Sequence, residues 1–290
     1  RTVTIEKEPA KIVSGYYIPS SLLIALGLSG KVVGIEAKAD KRPIYKLAAP
    51  ELQELPNVGT AKEFDLETCA LSPDLVILPL KLKDAAKSLT ELGIPVLLVN
   101  PESPDQLSEM ISLIATATNT QDKADQLLDF INQEKEMLTT SLATADDTPN
   151  IYLAGNSSLL STAGPAMYQS GIIELAGGKN VASDISDTYW AEISYEQLLS
   201  WDPDYIILAS DAEYTVDDVL SDPNLKDCTA VKNNHVYAIP GDIEALDSPV
   251  PASILASIWL AGILHPDQVS TDTYTKEMNS FYETFYGIKK

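Results

Sequence analysis

Short apolar runs and stretches of helical periodicity alternate along most of this sequence. Residues 11–14 (KIVS) read as a strand, 19–27 as a helix opened by proline and closed by glycine, and 31–36 (KVVGIE) as a second strand. A turn-rich connection follows, carrying Arg42, Pro43, Pro50 and Pro56. Residues 66–71 then suggest a short helix, 74–78 (DLVIL) a buried strand, 84–92 a helix and 95–100 (PVLLVN) another strand. Strands alternating with helices predict a parallel sheet with helices on its faces.

From residue 105 to 145 the pattern changes, because no Gly or Pro interrupts it. Leu107, Met110, Ile111 and Ile114, then Leu127, Leu128, Ile131 and Leu138, recur at helical spacing. This predicts one long helix on the order of 50 Å, with residues 118–120 (TNT) the place where it would break. The alternation then restarts. Strands are expected at 151–154, 205–209 and 236–239, and helices at 167–176, 251–263 and 273–286. The reading is α/β: two Rossmann-like lobes, residues 1–104 and 146–290, joined by one long α-helix over 105–145.

A length of 290 residues suits two domains better than one core. The opening residues 1–5 alternate like a strand and not like a signal peptide, so either the protein is cytosolic or a leader was removed. No apolar run reaches the roughly 20 residues of a membrane helix. The net charge of −22 excludes nucleic acid and anionic membrane surfaces as partners. That charge is uneven: residues 1–104 hold 12 basic and 13 acidic side chains, and the remainder 8 and 29. Cys69 and Cys228 lack metal-ligand spacing and read as small core residues, and with only His235 and His265 a His-rich metal site is excluded. No nucleophile elbow, P-loop or dinucleotide fingerprint is present, so no catalytic residue or cofactor is assigned. An enzyme relying on carboxylates, and a scaffold protein with no ligand, are the competing classes.

Residues 65–79 (DLETCALSPDLVILP) and 194–210 (SYEQLLSWDPDYIILAS) share a plan: a Glu on a short helix, Pro-Asp, then a buried strand. Pro-Asp ends the helix and starts the strand. The fold itself requires no carboxylate at Glu67 or Glu196, so their recurrence points to a shared surface role.

With these stretches, together with AKIVSGYYIPSSLLIALGLSGKVVGIE, LPNVGTAKEFDLETCALSPDLVIL, LGIPVLLVN, LAGGKNVA and NNHVYAIP, the chain resembles the class III substrate-binding proteins of ABC importers. These take up ferric siderophores, haem, cobalamin and related metal chelates. The resemblance implies a monomeric extracytoplasmic carrier, periplasmic or lipid-anchored, that holds its ligand in a cleft between lobes and delivers it to a membrane permease dimer. It further implies that Glu67 and Glu196 dock on permease arginines. Glu196 lies seven residues before Pro203 but Glu67 only six before Pro73, about 100° of α-helix, which leaves Glu63 as a substitute.

In open α/β sheets ligands bind beyond the carboxyl ends of strands. The loops there offer Tyr16, Tyr17, Arg42, Lys62, Lys81 and Lys83 in the first half, and Tyr168, Tyr189, Trp190 and Asp242 in the second. Arg42 is the only arginine after Arg1, and a guanidinium suits a carboxylate or phosphate bidentately. The tyrosines and Trp190 suit catecholates or a macrocycle. Asp242, Glu244 and Asp247 suit a cationic group or hard metal, an acidic surface, or a helix cap at Asp247. A ferric siderophore is the first expectation, cobalamin or another corrinoid the second, with haem and an oxyanion behind.

Overall fold

The computed structural model describes residues 2–185 and 190–289. The chain forms two compact α/β units. Unit 1 comprises residues 1–101, 105–130 and 279–290, and unit 2 comprises 102–104 and 131–278.

Unit 1 is built on β1 (Ile12–Ser14), α1 (Tyr17–Ala25), β2 (Val32–Ile35), α2 (Pro43–Ala48), β3 (Leu75–Pro79), α3 (Lys83–Glu91) and β4 (Val96–Val99). All four strands are parallel, in the order β2-β1-β3-β4. β1 and β3 are buried along their whole length, as expected for central strands covered on both faces. Residues 66–71 wind as a 3-10 helix where an ordinary helical turn was expected.

The expected long rod is two helices, α4 (Pro104–Thr118) and α5 (Gln121–Leu142). Asn119 takes φ +57°, and Thr118 turns its hydroxyl onto the Ile114 carbonyl (2.7 Å). Asn tolerates the left-handed conformation, and a back-bonding Thr competes with the helix ladder, so TNT is a built break. The unit boundary falls inside α5, between Phe130 and Ile131. It falls again inside the final helix, α11 (Thr271–Tyr286), between Met278 and Asn279. Periodicity alone gave no sign that the C-terminus belongs to the first unit. The cause is aromatic packing: Phe281 is fully buried, with ring centroids 5.2 Å from Phe130, and the Tyr286 hydroxyl meets Ser21 at 2.8 Å.

Unit 2 contains β5 (Asn150–Ala154), β6 (Ser161–Ala163), α6 (Tyr168–Leu175), β7 (Lys179–Asn180), β8 (Trp190–Glu192), α7 (Tyr195–Trp201), β9 (Tyr205–Leu208), α8 (Val216–Leu220), α9 (Thr229–Lys232), β10 (Val236–Ala238), α10 (Ile254–Leu264) and the part of α11 up to Met278. Its sheet runs β10-β9-β5-β6-β8, with β7 also on β5. β5, β9 and β10 are parallel, but β6 pairs antiparallel with both β5 and β8, so this sheet is mixed and not purely parallel. The serine-rich stretch 156–161 turns β5 into β6, and the Thr162 hydroxyl donates to the Leu153 carbonyl (2.7 Å). Cys228 is buried in this unit's core.

Within unit 2, Glu134 of α5 is 9% exposed and lies near Glu277, which pairs with Lys276 at 2.8 Å. Burial, then repulsion from Glu277, pushes the Glu134 carboxyl up to about 7. The folded state therefore holds this proton more tightly than the unfolded chain. Stability from the neutral form is complete below the ordinary carboxylate range and is lost as pH rises through about 7. Glu134→Gln should match the wild type in mild acid. At pH above about 8 it should be more stable by about 1 kcal/mol after allowance for solvent screening. Thermal melts across pH check this; a difference that does not grow with pH would contradict it.

Candidate functional site

In unit 1 the chain passes from β1 to β2 on one side and returns to β3 on the other, so the loops after β1 and β3 diverge. Such a switch point is where an open sheet leaves room for a ligand. Gly15 makes the turn after β1. Its N–H continues the sheet to the Ile77 carbonyl (3.0 Å), and a Cβ there would lie 2.6 Å from a Leu78 methyl. Tyr16 and Tyr17 follow, half-buried and edge-to-face with centroids 5.0 Å apart. The Arg42 guanidinium lies 4.1 Å from the centroid of the Tyr17 ring. A planar cation on an aromatic face is held in orientation while keeping its donors available. The structure thus brings Tyr16, Tyr17 and Arg42 together.

Beneath them is a polar network that sequence reasoning missed. Glu36, the residue after β2, is 5% exposed. It accepts hydrogen bonds from Ser20 of α1 and Tyr45 of α2, both at 2.6 Å, and Ser20 is also 2.8 Å from Ser14. Burial raises the Glu36 carboxyl above its ordinary range, opposed by these two hydroxyls and by the charge of Arg42. Burial and the adjacent Glu36 together hold the Tyr45 phenol well above its usual value. The available signal was a carboxylate ending the apolar run VVGIE, a poor place for an unpaired charge.

Lys62, Lys81 and Lys83 are exposed. Lys81 and Lys83 follow the carboxyl end of β3, Lys83 opening α3. Lys62 sits instead in the tight turn 60–63, where the Thr60 N–H donates to the Glu63 carbonyl at 2.7 Å.

In unit 2 the carboxyl ends of β5, β9 and β10 carry a second polar cluster. Asp247 is 3% exposed and accepts from the Ser210 hydroxyl and, at 3.4 Å, from its N–H. Burial raises its carboxyl, Ser210 opposes that, and Asp211 adds to it. The Asn156 amide donates to Asp211, and Tyr214 donates to the Gly155 carbonyl (2.6 Å). The acidic loop is therefore no uniform acidic surface: Asp242 is exposed, whereas Glu244 and Asp247 are buried. Nor does Asp247 cap the following helical turn, whose N-cap is Val250 with no side-chain bond.

Trp190 is 39% exposed and lies close to the Gly155 backbone. Tyr168 is buried, its hydroxyl 2.7 Å from Ser253 and its pKa pushed up to about 12 by burial, so it packs the core of unit 2. Tyr189 lies outside the described residues. Among the described residues no group of three or more His, Cys, Asp and Glu side chains is placed to hold a metal ion.

Glu67 and Glu196 are both exposed and both second in their helical segments, Leu66–Leu71 and α7. Each segment ends in a left-handed residue before proline, Ser72 (φ +50°) and Asp202 (φ +42°). The 3-10 winding accounts for the missing residue. Four 3-10 steps from Glu67 to Leu71 turn about 480°, and five α-helical steps from Glu196 to Trp201 turn about 500°. Glu67 is the positional equivalent of Glu196, and Glu63 belongs to the preceding turn.

A family model described as periplasmic binding protein matches residues 12–243. The molybdate-binding protein MolA of Haemophilus influenzae is 25% identical, over 99% of this chain and 88% of that protein. The Fe(3+)-citrate-binding protein YfmC of Bacillus subtilis is 29% identical, over 71% of this chain and 65% of that protein. The structure of MolA bound to molybdate superposes with a TM-score of 0.88 at 24% identity, covering 100% of this chain and 96% of that one.

Proposed function

The chain belongs to the periplasmic binding protein family, and from that premise we propose that it captures an anionic metal-containing solute, a ferric siderophore-type chelate first, for an ABC importer. The observation that carries this reading is Arg42 lying on Tyr17 beside Tyr16 at the switch point of the unit 1 sheet. A guanidinium supplies two parallel donors to a carboxylate or catecholate edge, and the rings supply flat apolar walls for the rest of an organic chelate. Exposed Lys81 and Lys83 add positive charge at the same sheet edge, which favours encounter with an anion. The Fe(3+)-citrate-binding relative is consistent with it. A bare oxyanion is the second reading, favoured by the full-length similarity to a molybdate-binding protein. A neutral corrinoid gains less from Arg42.

The carrier acts outside the cytoplasmic membrane, periplasmic or lipid-anchored, as a monomer that delivers its ligand to a permease dimer. No helix among the described residues is long and apolar enough to cross a membrane. A family of binding proteins supports binding over catalysis, and the two histidines are engaged in packing, His235 stacked on Tyr205 at the amino ends of the strands and His265 buried against the Gly177 carbonyl.

Titration of tryptophan fluorescence with ferric citrate, a ferric catecholate, molybdate and cyanocobalamin tests the reading. An anionic member should bind the wild type, and Arg42→Ala should weaken it by about tenfold or more, the scale of a lost charge-assisted pair. Tightest binding by cyanocobalamin, indifferent to Arg42→Ala, would replace the anion with a corrinoid.

A further inference from the structure

Among the described residues no hydrogen bond or ion pair holds the Arg42 guanidinium, which rests on the Tyr17 ring. Its place is therefore set by that ring and by the backbone that carries the arginine. Arg42 is the N-cap of α2, and its carbonyl accepts the Tyr45 and Lys46 N–H groups at 3.2 and 3.4 Å. Tyr45 is fully buried, and its hydroxyl donates to one Glu36 oxygen at 2.6 Å. Tyr17 opens α1, and the Tyr16 carbonyl before it accepts the Ser20 N–H at 3.2 Å. The Ser20 hydroxyl donates to the other Glu36 oxygen at 2.6 Å. Ser14 reaches Ser20 at 2.8 Å and the Tyr16 carbonyl at 3.2 Å. Glu36 thus stands between the turn that carries Tyr17 and the turn that carries Arg42, one oxygen to each.

A buried carboxylate is a costly way to join two helices, since apolar groups of the same shape serve stability as well or better. What short hydrogen bonds add is direction. One bond to each helix fixes their separation more sharply than apolar contact does.

We infer that Glu36 is a positioning residue of the anion site: through Ser20 and Tyr45 it holds Tyr17 and Arg42 in the stacked arrangement that presents the guanidinium to an anion. It acts through these two side chains and needs no contact with the ligand. The inference rests on the reading of Arg42 as the anion's partner. A site held in its bound geometry avoids the cost of ordering when the ligand arrives. The network also dictates which substitution is tolerated. A glutamine accepts from Tyr45 with its carbonyl and donates to Ser20 with its amide, because the Ser20 hydroxyl then turns to Ser14 or to the Tyr16 carbonyl at 3.0 Å. A methionine, similar in length, does neither.

The first experiment needs no ligand. Isotope-labelled arginine gives nuclear magnetic resonance signals from Arg1 and Arg42 alone, because the sequence holds no other arginine. The Tyr17 ring should displace the Arg42 guanidinium signal from that of Arg1. Tyr45→Phe and Glu36→Met should each move it back toward the Arg1 position, and Glu36→Gln should leave it in place. A signal unmoved by Tyr45→Phe overturns the proposal. Should that variant not fold, Ser20→Ala cuts the other arm and is read by the same criterion.

The second is calorimetry with molybdate and ferric citrate. Tyr45→Phe should weaken the anion that binds by about fivefold, the scale of one lost hydrogen bond. In an Arg42→Ala background the same change should alter affinity by less than about twofold. A merely structural Glu36 would lower the melting temperature with no such coupling, so equal losses in both backgrounds overturn the proposal. Tighter binding by Glu36→Gln also overturns it, by making charge and not position the operative property. Anion binding indifferent to Arg42→Ala removes instead the reading of Arg42 beneath it, so the two failures are distinguishable.

Discussion

Reversing the charge at both Glu67 and Glu196, as Glu67→Lys with Glu196→Lys, is expected to abolish uptake in cells while leaving ligand affinity of the isolated protein within about twofold. Both carboxylates are exposed. Surface substitutions of this kind change stability by about 0.5 kcal/mol or less, so loss of uptake would not be loss of fold. Asp65 accepts the Glu67 N–H at 2.9 Å and Ser194 accepts the Gln197 N–H at 3.2 Å, which fixes both segments from their amino ends without using the glutamate side chains. Two exposed carboxylates at matched positions suit transient docking, since rim charges set orientation and encounter rate, and like charges facing one another cost several kcal/mol. The single variants should each lose part of the transport rate, and Glu63→Lys should lose none. The measurement is labelled-ligand uptake beside fluorescence titration; parallel loss of affinity would place the glutamates at the ligand and not at the permease.

That equivalence shows where sequence reading stops. The two segments were recognisable as one plan from Glu, Pro-Asp and a buried strand, because proline and apolar β-branched runs act locally. The winding of the first segment was not, since 3-10 and α geometry share the same residue preferences over one turn. The strands of unit 1 and its helices α1 and α3 were legible from periodicity for the same reason, whereas α2 lies in a stretch that its prolines made read as turns. β6 and β8 were not: Ser161–Ala163 and Trp190–Glu192 are three residues each, too short for a period to register. The membership of residues 279–290 in unit 1 depends on ring packing of Phe281 on Phe130, a contact between distant residues that no local pattern encodes. That Tyr16, Tyr17 and Arg42 lie near strand ends was legible because strand ends are, whereas Glu36 was read as the tail of a strand. Its meaning lies in Ser20 and Tyr45, which reach it from two different helices. Tyr168 is the opposite case, a side chain whose burial no local pattern showed. It stands in a plausible loop position but starts α6 with its hydroxyl bonded to Ser253, 85 residues away.

Gly59→Ala is expected to be the most damaging single-methyl change in unit 1, lowering stability by about 3 kcal/mol or more. Gly59 has φ +107°, a conformation an L side chain rarely enters, and an added Cβ would lie 2.3 Å from the Glu63 carbonyl oxygen. That oxygen is backbone, and it accepts the Thr60 N–H that closes the turn, so it cannot swing aside. Gly59 is further held by the Asn57 side chain, which accepts its N–H at 2.8 Å, and by Ala37, whose N–H donates to the Gly59 carbonyl at 2.6 Å. Relieving the overlap breaks one of these bonds or displaces Phe64, which packs with Val58 in the core. Either route costs more than the backbone strain alone. Gly30 is the control: a Cβ there meets nothing within 4 Å, and Gly30→Ala should change stability by about 0.5 kcal/mol at most. Thermal unfolding should place the first variant roughly 6–9 °C below the wild type and the second alongside it. Equal midpoints for the two variants would mean that turn 60–63 gives way freely, and that the segment carrying Glu67 is not held by it.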